Sequence, residues 1–216
     1  MKKTALFFVG LLFTVLSFGQ NSSADAKKLL DDVSTKMGAY DNMLIDFSSQ
    51  LVNKEADIKD PPTRGSITIS GEKYNLSYLG NNFLFDGKQL AVVNTDEKEV
   101  IITSGDMDED DGFIYPSKLL TFYKEGYTYK MGKLDNKNGR QVQYINLTPI
   151  DSNSDIKEVK LGVDAKTKHI YKLTQLGSNG TETTFTITKF KSNQSISKNL
   201  FTFDKMKYEK LGYLID

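Results

Sequence analysis

The chain is predicted to be an α+β protein: one strongly curved antiparallel sheet of about eleven strands, its concave face covered by two or three helices. Three observations carry this prediction. Apolar–polar alternation of period two recurs in short runs between residues 43 and 187; one stretch of helical periodicity precedes those runs; and no linker rich in Pro, Gly or Ser divides the chain.

The chain opens MKKTALFFVGLLFTVLSFGQ, with Lys2 and Lys3 ahead of an apolar run over residues 5–18 and small residues at Ser17 and Gly19. That pattern reads as a secretory signal peptide over residues 1–19, cleaved before Gln20. The apolar run is shorter than the roughly 20 residues that a membrane-spanning helix needs. The expected product, residues 20–216, is a single exported domain. It has no cysteine, so it can be neither acylated on a cysteine of its own nor held by disulfides, and its stability must come from a buried core.

In SADAKKLLDDVSTKMGAY, Ala26, Leu29, Leu30, Val33, Met37 and Tyr40 fall at helical spacing, and Ser23 is expected as the N-cap. The period then switches to two. Met43, Ile45, Phe47 and Leu51 alternate with polar residues, followed by Ile67 and Ile69, then Tyr74, Leu76 and Tyr78. Phe83 and Phe85 stand before Asp86-Gly87, and Leu90 and Val92 after it, which predicts a hairpin. Val100 and Ile102 follow. The second half continues with Tyr127 and Tyr129, Val142 and Tyr144, Val159, Leu161 and Val163, Tyr171 and Leu173, and Phe185 and Ile187. Between the halves, FIYPSKLLTFYKEGY is expected to form a second helix entered at Pro116, with Leu119, Leu120, Phe122 and Tyr123 as its apolar cluster.

So many strands cannot remain flat, because strand twist accumulates and makes the sheet curl or close. Its concave face must then be filled. Either the helices pack tightly and make an ordinary core, or they sit loosely over an apolar cavity.

The formal net charge is zero, and loss of Lys2 and Lys3 with a leader makes the remainder slightly acidic. Arginine occurs only as Arg64 and Arg140. Since bidentate phosphate recognition favours arginine, nucleic acid is not expected as a partner.

Catalytic and cofactor chemistry finds no foothold. His169 is the single histidine and cysteine is absent, which leaves too few ligands for a zinc or transition-metal centre; His169 is expected at a strand surface or rim. No nucleophile elbow, Walker motif or dinucleotide glycine pattern occurs. In GDMDEDDG, Asp106, Asp108 and Asp110 alternate as calcium ligands would, but Asp111 occupies the place of the required turn glycine and Ser117 that of the bidentate Glu. The run reads as a solvated acidic loop. No catalytic residue, metal or cofactor is expected.

The order of elements is informative where single residues are not: a leader, an amphipathic helix, a strand led by Phe47, then ITISGEKYNLSY, FLFDGKQLAVVN, EVIIT, a mid-chain helix, and a closing LFTFDKMKYEKLGYLID. This order resembles that of the LolA-type periplasmic carriers of outer-membrane lipoproteins over nearly all of residues 24–216. The best match is the strand, the Asp86-Gly87 turn and the next strand, followed by Val100 to Ile102. A second is the ending, Phe201-Thr202-Phe203 with Ile215-Asp216. The resemblance implies an incomplete barrel of eleven antiparallel strands with helices as a lid, holding acyl chains between them. One feature departs from the family pattern. The family carries an arginine at the start of its third strand that latches the lid, whereas Ser70 or Lys73, depending on register, stands there in this chain.

On this resemblance the expected cavity wall is Ile45, Phe47, Ile67, Ile69, Tyr74, Leu76, Tyr78, Phe83, Phe85, Leu90, Val92, Val100 and Ile102. The expected lid is Leu29, Leu30, Val33, Leu119, Leu120 and Phe122. The implied protein is a monomeric periplasmic carrier (chaperone) that binds the acyl chains of lipoproteins and shuttles them from the inner to the outer membrane. Its implied partners are acylated lipoproteins, an ATP-driven (ABC-type) inner-membrane release complex and an outer-membrane acceptor. The alternative is a binding module on the same scaffold that senses a lipid or lipoprotein; a hydrolase would need carboxylates that the sequence does not place.

Overall fold

The computed structural model describes residues 15–106, 116–137 and 139–216, with side chains from residue 22 onward. The first helix, α1 (Val15–Gly38), begins earlier than expected: Ser23 lies within it and is not its N-cap. No proline stands between residues 15 and 23 to stop the backbone, so the helix continues upstream. Of the expected leader, residues 1–14 lie outside the described residues, and residues 15–19 are helical. Ala26, Leu29, Leu30, Val33 and Met37 are all buried on one face of α1, as their spacing requires.

Among the described residues thirteen strands form one open sheet: β1 (Met43–Asn53), β2 (Ile58–Lys59), β3 (Thr63–Ser70), β4 (Lys73–Tyr78), β5 (Asn81–Phe85), β6 (Gln89–Asn94), β7 (Glu99–Ser104), β8 (Tyr127–Lys137), β9 (Arg140–Pro149), β10 (Ile156–Asp164), β11 (Ile170–Gly177), β12 (Thr181–Ser192) and β13 (Leu214–Ile215). The expected eleven strands correspond to the longer ones. The two additions, β2 and β13, are two residues each, too short to show periodicity. The strand order is β13-β7-β6-β5-β4-β3-β1-β12-β11-β10-β9-β8, with β2 paired on β1. Two antiparallel meanders, β3 to β7 and β8 to β12, thus meet on the central strand β1. The ends β13 and β8 do not pair with each other, so the barrel is incomplete.

One pairing departs from the antiparallel rule, since β13 runs parallel to β7. A parallel neighbour needs a long return connection. Here the connection contains the whole second meander, and the segment that includes helix α2 (Lys205–Lys210) brings the chain back from β12 to β7; α2 is capped by the Asp204 side chain, which accepts from the Lys207 N–H.

The expected mid-chain helix is instead two 3-10 turns, Pro116–Lys118 and Phe122–Lys124. Leu119, Thr121 and Lys124 each donate to the carbonyl three residues back, and Thr121 breaks the run with φ −132° and no side-chain cap. Short 3-10 turns of this kind do not propagate, and the non-helical backbone at Thr121 separates the two.

The β5–β6 hairpin forms as predicted, with its tip one residue later than the Asp-Gly pair suggests. Asp86 N–H donates to Gln89 O, which places Gly87 and Lys88 at the turn, with Gly87 at φ +95°. The Asp86 carboxylate accepts from the N–H groups of Gln89 and Lys88, both at 2.8 Å, and these bonds hold its pKa below the usual carboxylate value.

Two cores result. The larger lies on the concave side, where α1 packs against both meanders. A smaller one, on the opposite face of β5 to β7, joins Leu84, Ala91, Val93 and Val100 to Phe203, Tyr208, Tyr213 and Ile215 of the C-terminal segment.

Candidate functional site: an apolar cavity under a helical cover

Cross-strand register lays apolar residues in rows over the concave face. One row runs Ile45–Ile67–Leu76–Phe83–Val92 across β1, β3, β4, β5 and β6. The next runs Met43–Ile69–Tyr74–Phe85–Leu90 over the same strands. From the other meander comes Met131–Ile145–Leu161–Leu173–Phe185, which reaches β1 at Ser49.

The rows do not close on one another. Between them lies a cavity of about 490 Å³, within the ~300–1,000 Å³ span of pockets that enclose a small-molecule ligand. Of the expected wall, Ile45, Phe47, Ile67, Ile69, Leu76, Tyr78 and Phe83 line it. Tyr74, Phe85 and Leu90 are instead packed in the solid part of the core, with Val92 against them.

Val100 and Ile102 are corrected: they belong to the core on the opposite face. Val100 pairs with Val93 and Ile102 with Ala91, whereas Val92 pairs with Ile101, so Val92 and Val100 point to opposite sides. Alternation within β7 marks Val100 and Ile102 as one buried face but does not say which side of the sheet it lies on; the C-terminal segment covers that face, while Ile101 on the other is exposed.

Of the expected lid, Leu119 lines the cavity, as does Pro116. Leu29, Leu30 and Val33 are buried on α1, with Leu120 and Phe122 packed against the same core. The expected wall drew on the first meander alone. Leu173, Gln175, Thr183, Phe185 and Ile187 of β11 and β12, with Ile170, line the cavity equally. Period two marked Leu173, Phe185 and Ile187 as strand residues, but the β1–β12 seam that brings them round is non-local.

Phe47 owes its place to a glycine. It pairs with Gly65 on β3, and its ring lies across that residue, edge-on to Phe185 at 5.8 Å between centroids. A break in register between Asp46 and Phe47 against β12 bends β1 at the same point.

Side-chain bonds tie the cover to the sheet at both ends. The Ser22 hydroxyl accepts from the Met131 N–H on β8 at 3.2 Å. Near the middle of α1, Tyr123 donates to Asp31 Oδ1 at 2.9 Å, while Lys27 donates to Oδ2 at 2.6 Å. The Lys27 bond leads in holding the Asp31 carboxyl below its usual range. Burial, reinforced by Asp31, pushes the Tyr123 hydroxyl up to about 12. Beyond the end of α1, Tyr40 Oη and His169 Nε2 lie 2.8 Å apart. His169 is half-buried just ahead of β11, and burial, with Lys36 and Arg140 nearby, lowers its pKa against the opposing pull of Asp164.

The two candidates for the latch position separate. The Ser70 hydroxyl donates to Asp41 O, in the turn between α1 and β1, at 2.8 Å. Lys73 is exposed and pairs with Ser70 in the β3–β4 hairpin. The first carboxylate of the acidic loop, Asp106, accepts from Tyr74 at 2.5 Å and from the Ser117 hydroxyl. Asp108, Asp110 and Asp111 lie outside the described residues. Among the described residues no cluster of His, Asp and Glu is arranged to hold a metal, and no helix is long and apolar enough to cross a membrane.

Comparison with solved structures shows the fold. An uncharacterized conserved protein from Thermus thermophilus superposes with a TM-score of 0.59 at 7% identity, over 89% of this chain and 98% of that one. The complex of MucA and MucB from Pseudomonas aeruginosa contains a chain that superposes with a TM-score of 0.50 at 14% identity, over 83% of this chain and 61% of that one. A LolA superfamily protein from Nitrosomonas europaea aligns over 83% of this chain and 98% of its own, at 12% identity and a TM-score of 0.43. No curated protein sequence matches the chain. The family model described as outer membrane lipoprotein carrier protein LolA matches residues 79–204, more than half of the sequence. The chain belongs to the LolA family.

Proposed function

We propose that this protein is a periplasmic carrier that takes the acyl chains of lipoproteins into its cavity and moves them from the inner to the outer membrane. The observation that carries this reading is the unfilled apolar hollow between the two meanders, bordered by Pro116 and Leu119 of the 116–124 segment and adjoining the core on which α1 packs, in a chain of the LolA family.

The physical need is clear from transfer energies. At about 0.8 kcal/mol per buried methylene, three acyl chains hold a lipoprotein in a bilayer by a gross ~25 kcal/mol or more, beyond the roughly 18–21 kcal/mol at which non-covalent affinities saturate. Such a molecule does not cross water unaided. A carrier has to shield the chains and pass them on by direct contact with a donor and an acceptor; in this reading these are an inner-membrane ABC-type release complex and an outer-membrane acceptor. No covalent step is involved. Residues 1–19 act as the export signal.

The test is native mass spectrometry of the protein recovered from its own periplasm. Co-elution of acylated polypeptide supports the carrier reading, and a cavity that never holds acylated cargo contradicts it. A second reading, a binding module that reports on a lipid or lipoprotein through a protein partner, draws on the MucA/MucB complex as an assembly of this fold with a second protein. A stable complex with a regulatory protein, without acyl transfer between membranes, would favour it.

A further inference from the structure

Polar residues on the concave face are not scattered. They gather at one end of the cavity, away from the end of α1. Ser49 on β1 pairs with Thr63 on β3, and Gln175 on β11 pairs with Thr183 on β12, which pairs with Leu51. Each occupies an inward position that the apolar rows would otherwise continue. Ser49 is 4% exposed and Gln175 9%, so the band is a buried polar lining and not a solvated surface. At the opposite end Ile45, Ile69 and Ile170 close the hollow.

The rim beyond this polar band is open. Leu79, 62% exposed at the β4–β5 turn, lines the cavity together with Asp60 and Pro61. Within the band, Ser49 Oγ and Tyr78 Oη lie 2.7 Å apart. That bond uses one of the pair's two hydroxyl protons, and the other can be directed toward a third acceptor. No Lys, Arg or His lines the cavity among the described residues, and the one ionisable carboxylate at the rim is Asp60.

From this we infer that the resting cavity takes a single acyl chain, tail toward Ile45 and Ile170, from an amphiphile whose head is uncharged and hydrogen-bonding, such as an ester, amide or glycerol group. The volume is that of one ligand and not of three long chains. The head meets hydroxyl and amide groups in the polar band. A phosphate or a free carboxylate would meet no cation there and would face Asp60, so its desolvation would go uncompensated. This inference rests on the cavity being an acyl site and adds which amphiphiles it admits.

The test titrates the purified protein at pH 8 with monopalmitoylglycerol, palmitate and palmitoyl-lysophosphatidylglycerol, each below its micelle concentration, by calorimetry with native mass spectrometry for stoichiometry. The expected result is one monopalmitoylglycerol per protein, bound about tenfold or more tighter than either anion. In the rim variant Asp60→Lys, which exchanges the carboxylate facing the head for a cation, that preference should shrink several-fold as the two anions bind more tightly. Equal or tighter binding of the anions, or more than one tail per protein, overturns the inference while leaving the acyl site standing. Binding of none of the three overturns the acyl site as well.

Discussion

The ring of Phe47 lies directly over Gly65, so that a Cβ added to the glycine would sit 2.3 Å from Phe47 Cζ. The pair sets the shape of the cavity wall, because Phe47 lines the hollow and can yield only by turning away from β3. Gly65→Ala is expected to cost about 1–3 kcal/mol through overpacking and to weaken acyl binding, as the displaced ring enters the cavity. Chemical denaturation and titration with an acyl ligand on the same variant check both effects. A variant with unchanged affinity would show that the ring does not border the bound chain.

Phe83→Glu places a carboxylate in the row Ile45–Ile67–Leu76–Phe83, on a side chain that is half-buried and borders the hollow. The protein is expected to fold, since the charge can reach the cavity opening, but to release lipoprotein from inner-membrane vesicles at least about tenfold less well. Vesicle-release assays, with circular dichroism as the folding control, provide the measurement.

Val100→Ala separates the two faces of β7. It should lower stability by about 2 kcal/mol, from lost methyl burial and the space left behind, and leave acyl binding unchanged, because Val100 packs against Val93 and the C-terminal segment. Reduced affinity in a folded Val100→Ala protein would place β7 in the cavity wall after all.

The Tyr123–Asp31 bond gives the cover a defined pH dependence. The Asp31 carboxyl is depressed, so its contribution is present above the ordinary carboxylate value of 3.8 and is lost as pH falls through the lower folded value. Tyr123 is raised, so its contribution is full below 10.0 and lost as pH rises through about 12. Between those limits the bond is intact. Tyr123→Phe should therefore speed amide hydrogen exchange along the middle of α1 at pH 7 and lose about 0.5–1.5 kcal/mol of stability. Unchanged exchange would show that the bond does not restrain the helix.

His169 adds a second dependence at milder pH. Its folded pKa is lowered, so the unfolded chain takes up the proton more readily; stability is full above about 6.5 and declines as pH falls below it. Thermal melts at pH 8 and pH 5 should differ more in the native protein than in His169→Gln, and equal differences would show that the histidine plays no part in the pH response.

Much of this architecture was legible in the residues, and the parts that were not have physical reasons. Period two located all eleven long strands, because each of them has one face on an apolar core, the concave one for most and the opposite one for β7, and the Asp86-Gly87 pair located the β5–β6 hairpin. Alternation reports a face only where the other face is wet. Along LAVV of β6 both sides are covered, and β7 turns Val100 and Ile102 to the C-terminal segment while Ile101 is exposed, so the pattern marks a buried face of β7 without saying on which side of the sheet it lies. The mid-chain segment has the composition of an amphipathic helix, yet Pro116 and Thr121 confine it to isolated turns. Ile170, Gln175 and Thr183 were beyond reach for another reason: they join the cavity only through the pairing of β12 with β1, strands that lie far apart in the chain.

Where an acyl chain goes is the central question. The decisive measurement is isotope-filtered NMR of the protein with selectively labelled Ile, Leu, Val and Phe side chains, mixed with an unlabelled N-palmitoylated peptide. Intermolecular contacts from the palmitoyl tail to Ile45, Leu76, Phe83 and Ile187 are the predicted result. Contacts confined to the opposite face, at Val93 and Val100, or no contacts at saturating peptide, would contradict it.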